Sequence, residues 1–134
     1  MDSCVFVSLF VKRDVNHKKA LKVWEDVRRN GMKILVPTLF LPEICGAIVR
    51  VTGDKKYANE VNKMLEKWMM AEIIIPKELT VERMAAAVEK AIKFNLRGGD
   101  AIFVSLAREF NTSFLTFDEE VKRKITGKIK LFEI

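Results

Sequence analysis

Gly98-Gly99-Asp100-Ala101-Ile102-Phe103-Val104-Ser105-Leu106-Ala107-Arg108-Glu109-Phe110, followed by Ser113-Phe114-Leu115-Thr116-Phe117-Asp118, is the stretch that decides the fold. After a glycine break, an acid opens an apolar segment that predicts a helix from Asp100 through Phe110, buried nearly all round. The run 113–116 then predicts a buried strand, and Asp118 lies just beyond its carboxyl end. A buried helix feeding a buried strand is a piece of a βαβ unit.

The same alternation continues outward. Ala20, Val23, Trp24 and Val27 recur at helical steps over Val15–Arg29, and Asn30-Gly31 ends that helix. A short strand is expected over Lys33–Val36, then a helix from about Thr38 as N-cap, with Ile44, Ala47, Ile48 and Val51 inward and Gly53 at its end. Tyr57–Met70 reads as a helix with Val61, Met64, Leu65 and Trp68 in register. Glu72–Ile75 reads as a strand. Thr80 caps a helix whose inward stripe is Met84, Ala85, Val88, Ala91 and Ile92. A short helix over Glu119–Lys124 and a last strand over Ile129–Phe132 complete the chain. Cys4–Val11 is rich in Val and Phe and by propensity could pair as a strand. The expectation is one α/β domain over 1–134: a three-layer sandwich with a central parallel sheet flanked by helices.

Four acids lie at the edges of apolar runs: Asp2, Glu43 in Leu41-Pro42-Glu43-Ile44, Asp100 and Asp118. A carboxylate beside such sequence is costly to bury alone, so a cap, an ion pair or a metal is expected for each. Asp100 and Asp118 could each be plain helix caps. Glu43 has a weaker structural reason. In parallel α/β sheets, ligands bind outside the carboxyl ends of the strands, and the expected topology brings these acids to one rim. Hard oxygen ligands there suit Mg²⁺ or Mn²⁺.

Composition sets limits. The chain has 134 residues, 49% of them hydrophobic, and a formal charge of +6. That is enough for a real core and argues against disorder. The pI is about 9.4. A basic chain with an acidic pocket suits a phosphodiester substrate, with nucleic acid as the partner. Cys4 and Cys45 lack metal-ligand spacing and His17 is the lone histidine, which argues against a zinc centre. The expectation is free thiols in a cytoplasmic protein, with no signal peptide, no membrane span, and no catalytic role for His17.

Four segments in order carry a resemblance: Asp2-Ser3-Cys4-Val5-Phe6-Val7, Val36-Pro37-Thr38-Leu39-Phe40-Leu41-Pro42-Glu43-Ile44, Gly99-Asp100-Ala101-Ile102-Phe103-Val104-Ser105-Leu106-Ala107, and Phe114-Leu115-Thr116-Phe117-Asp118. Together they resemble the PIN domain family, and within it the VapC-type toxin ribonucleases of prokaryotic toxin–antitoxin systems. The resemblance implies a metal-dependent endoribonuclease using one or two Mg²⁺ or Mn²⁺ ions, and products with 5′-phosphate and 3′-hydroxyl ends. It also implies a homodimer held inactive by a small antitoxin protein. It makes Asp2, Glu43, Asp100 and Asp118 the catalytic, metal-binding acids, with Ser3, Thr116 and Glu119 in support.

The chain departs from the family at its start. The family's first, central strand precedes the first Asp, and here only Met1 does, so that strand reads as truncated, or as lying upstream of Met1; for Cys4–Val11, where propensity allows a strand, the resemblance implies a helix. Two other classes stay open: a domain phosphorylated on Asp, of the phosphatase or receiver type, and a non-catalytic PIN-like binding module. Asp2-Ser3-Cys4 lacks the Asp-x-Asp pair of the dehalogenase-type phosphatases. The apolar start and the Met/Trp-rich helix over Tyr57–Met70 suggest more apolar surface than a monomer needs, hence a dimer with a groove for an antitoxin.

Overall fold

The computed structural model describes all 134 residues. Its helices are α1 (Ser3–Phe10), α2 (His17–Arg29), α3 (Phe40–Thr52), α4 (Lys55–Met70), α5 (Val81–Phe94), α6 (Gly98–Glu109) and α7 (Glu119–Ile125), and its strands are β1 (Ile34–Pro37) and β2 (Ile74–Lys77). The architecture is α/β, a small parallel sheet flanked by helices. β1 and β2 pair in parallel, Ile34 opposite Ile74 and Val36 opposite Pro76. Pro76 has no N–H to give the ladder, which is tolerated because β2 is an edge strand. No helix is long and apolar enough to cross a membrane.

The stretch 3–10 is a helix despite its strand-like composition. Val5 and Phe6 are buried on its inner side. Its last carbonyls, which an isolated helix leaves without partners, are met by other elements. Tyr57 of α4 donates its hydroxyl to the Phe10 carbonyl at 2.7 Å, and the His17 ring donates Nδ1–H to the Ser8 carbonyl at 2.8 Å. Tertiary contacts thus override β propensity, and His17 serves as a structural clamp.

The sheet is smaller than expected. The expected strands at 113–116 and 129–132 reduce to one parallel bridge, Phe114 with Leu131. Only Met1 and Asp2 stand between the two halves: the Met1 amine reaches the Leu35 carbonyl at 3.5 Å, and the Asp2 amide donates to the Leu115 carbonyl at 2.8 Å. Beyond them lies an apolar cavity of about 310 Å³, lined by residues that include Ile34, Phe103, Leu106, Leu115 and Phe132. Strands with one unpaired side have little to hold them regular.

Helix faces differ from expectation in two places. On α3, Ile44 and Ile48 are fully buried, but Val51 is 62% exposed. On α5 the stripe expected to face inward faces out: Met84, Val88 and Ile92 are exposed, and Ala87, Lys90 and Phe94 are buried instead. Small residues explain the reversal. Ala87 lets α5 lie close against α6, its main neighbour. The Met/Trp-rich α4, by contrast, turns Trp68 inward to stack on Trp24 and Phe10, with ring centroids 3.9 and 5.6 Å apart. Its exposed apolar residues are Met64 and Met70.

Candidate active site

Four separate elements bring the acids to one open cleft of about 630 Å³, lined by Asp2, Glu43, Asp100 and Asp118 together with Ser3. Asp2 stands at the N-cap position of α1, Glu43 and Asp100 in the first turns of α3 and α6, and Asp118 at the N-cap of α7. Helix N-termini present unpaired N–H groups and a partial positive charge, so carboxylates are at low cost there.

Asp2 is the most buried of the four, at 7% exposure. Its Oδ2 accepts from the Thr116 hydroxyl at 2.6 Å and from the Cys4 thiol at 3.2 Å. Thr116 is itself buried, and its Oγ1 accepts the Asp118 amide at 3.1 Å. One hydroxyl therefore links the first acid to the backbone of the last. Burial and then the Asp2 charge push the Cys4 thiol up to about 12. The thiol accordingly donates a hydrogen bond to Asp2.

Glu43 is seated by two neighbours. Ser3 donates its hydroxyl to Glu43 Oε2 at 2.5 Å. Gly99 provides the space, for a Cβ there would come within 2.9 Å of Glu43 Oε1. Burial raises the Glu43 carboxyl above the usual range; Ser3 opposes the rise, and Asp2 and Asp100 add to it by repulsion. Asp100 is raised too, by burial first, against the pull of Arg97 and with repulsion from Asp2 and Asp118.

Asp118 caps α7, its Oδ1 accepting the amides of Glu120 and Val121 at 2.9 and 3.1 Å. Its Oδ2 accepts from Arg97 Nη2 at 2.9 Å, and Arg97 Nε donates to Asp100 Oδ2 at 2.8 Å. One guanidinium thus spans two carboxylates. Asp100 does not cap its helix; Arg97 holds that place and makes no side-chain cap. Glu119 is 81% exposed, pairs with Lys122 at 2.6 Å and does not line the cleft.

Sequence reasoning missed Arg97, and also Asp14, Asn16 and Arg50, which line the same cleft. Arg97 stands three residues before Asp100, a spacing that reads as an ordinary helix-surface pair. Its second partner, Asp118, is 21 residues away.

The donor set fits a hard divalent cation: carboxylate and hydroxyl oxygens, no imidazole, and a thiol held protonated. The Arg97 bridge makes the same point, because a cation already sits between two of the acids. In this arrangement no three Asp, Glu, His or Cys side chains stand close enough together to grip one ion.

The sequence profile of the PIN domain family matches residues 1–125. No curated protein matches the sequence. Among solved structures, this fold is similar to that of VapC20 of Mycobacterium tuberculosis, a Sarcin-Ricin loop cleaving toxin. The TM-score is 0.74 at 13% identity, over 99% of this chain and 97% of that one. At that identity the likeness is one of fold.

Proposed function

We propose that this chain, which belongs to the PIN domain family, is a metal-dependent endoribonuclease, the toxin of a toxin–antitoxin pair. One observation carries the reading: four acids from four elements line one cleft on a chain of net charge +6. Asp2, Glu43, Asp100 and Asp118 would hold the Mg²⁺ or Mn²⁺, one ion or two. Bound there, such an ion lowers the pKa of a water and neutralises charge on the scissile phosphate.

The chain's own residues supply the rest. Ser3 fixes Glu43 and Thr116 fixes Asp2, so two carboxylates are oriented before substrate arrives. Burial first, and repulsion from neighbouring acids after it, raise the carboxyls of Glu43 and Asp100, and a cation held between them would favour their charged forms. Arg97 pairs with both Asp100 and Asp118; were an ion to take its place, its 75% exposed side chain would be placed to meet an RNA phosphate at the cleft mouth.

The test is cleavage of RNA by the purified protein. Cleavage with Mn²⁺ should stop with a chelator and in Asp100→Asn and Glu43→Gln. Chelator-resistant cleavage, or full activity in a folded Asp100→Asn protein, would sink the reading. One observation favours a second reading, a non-catalytic PIN-like binding module: Arg97 already satisfies two of the acids. RNA binding unchanged by metal, with no cleavage, would be its signature.

A further inference from the structure

Two cations line the acidic cleft, Arg97 and Arg50. Arg97 is engaged by Asp100 and Asp118. Arg50, exposed on α3, makes no ion pair and no side-chain hydrogen bond within the chain. Its guanidinium carries five N–H donors and no acceptor, so that capacity is left for a ligand. Exposed arginines are ordinary, and freedom alone says little; the placement of this one says more.

Helix geometry aims it at the acids. Glu43, Ala47 and Arg50 follow at steps of four and three, so they share one face of α3, and all three line the cleft. Long side chains on a helix lean toward its N-terminus. Arg50 does so: a Cβ added at Gly46 would come within 3.1 Å of its Nη1. The guanidinium therefore lies back over bare backbone, at the level of Gly46. Gly46 is three residues from Glu43, about 4.5 Å along the helix axis. Ala47, with a single methyl, leaves the floor beside it open. Asp14 also lines the cleft, but it stands beyond ion-pair distance of Arg50, and its Oδ1 accepts the Asn16 amide at 2.7 Å.

We propose that Arg50 holds the RNA phosphate next to the scissile one, and that Gly46 keeps its place clear. This rests on the reading of the cleft as an RNA site. Four carboxylates repel a phosphodiester strand, so positive charge must stand close by to hold it. Arg97 must first leave its carboxylates to serve; Arg50 has none to leave. A guanidinium takes a phosphate through two parallel N–H bonds and reads no base, so Arg50 sets register and not sequence.

The test is binding of a fluorescent single-stranded oligoribonucleotide, followed by anisotropy in chelator at several salt concentrations, so that affinity is read apart from cleavage. Arg50→Gln should bind about tenfold more weakly. Its slope of log affinity against log salt should be shallower by about 0.7, the share of one phosphate contact on a single strand. Arg50→Lys should keep the slope and recover part of the affinity. Lys67→Gln removes an exposed cation outside the cleft and should change neither. Gly46→Ala should melt no lower than wild type, since Ala favours a helix and only the far end of a flexible side chain must yield. It should nonetheless bind RNA severalfold more weakly; binding equal to wild type would strike Gly46 from the proposal. An Arg50→Gln protein that matches wild type in affinity and slope overturns the whole. So does an equal loss in Lys67→Gln, or a wild type that binds no RNA. Arg50-dependent binding without any cleavage would defeat the nuclease reading and leave this one standing. Cleavage by a protein whose RNA binding ignores Arg50 would do the reverse.

Discussion

At the scale of single residues, Arg97 has the largest unspent consequence. It is tied to Asp100 and Asp118, so the divalent ion proposed for this cleft would compete with it. Arg97→Ala is expected to bind Mn²⁺ roughly tenfold more tightly by calorimetric titration, since the competing cation is gone. The same variant should cleave RNA more slowly, having lost a phosphate contact. A variant that binds Mn²⁺ no better than wild type would show that Arg97 and the metal do not compete. The raised carboxyls of Glu43 and Asp100 set a pH dependence. A carboxyl raised on folding contributes stability that is present below its unfolded value and lost as pH rises through the folded one. Metal-free protein should therefore lose part of its stability between about pH 4 and neutrality. Mn²⁺ should return it, most strongly at neutral pH, as thermal melts with and without the ion would show. The acids could be found in the sequence because a charge beside Leu41, Ile44 or Phe117 stands out. Arg97 could not, because its meaning comes from a partner that only the fold brings near.

At the scale of elements, periodicity located the helices more reliably than it oriented them. Met84, Val88 and Ile92 are evenly spaced, and the spacing says that they share a face, not which way it points. Burial by α6 falls to the side with Ala87, where the backbones can approach. The strands at 113–116 and 129–132 were legible as apolar runs, but a ladder needs a neighbour, and an apolar cavity lies beside them. Helix α1 shows the opposite case, an apparent strand made helical by its surroundings. Tyr57→Phe tests that directly. It deletes the hydroxyl that meets the Phe10 carbonyl, and urea unfolding should show a loss of about 1 kcal/mol. No measurable loss would mean that water serves the carbonyl equally well.

At the scale of the whole molecule, the sheet is two half-ladders joined through the first two residues of the chain. The Met1 amine sits in that seam, beside an apolar cavity, and burial lowers it to about 6. Its unfolded value is near 8.0, so between those two values the unfolded chain binds more protons and stability falls as pH falls. The full effect is roughly 3 kcal/mol, at about 1.4 kcal/mol per pH unit. Replacing the amine with an amide removes the charge altogether. In a protein made to begin at Met1, amino-terminal acetylation should therefore abolish this acid-side loss between about pH 8 and 6, read as a melting temperature that no longer drops across that interval. A drop of equal size after acetylation would assign it to other groups.

The seam also bears on how the protein can be handled. An affinity tag fused ahead of Met1 is not a neutral label here. Its last residues would join the chain at the seam between the Leu35 and Leu115 carbonyls, where Met1 itself lines the cavity. A tag ending in Val and Ile, and one ending in Lys and Glu, should give proteins of visibly different melting temperature from the same gene. A handle placed after Ile134, which is 47% exposed, meets no such constraint.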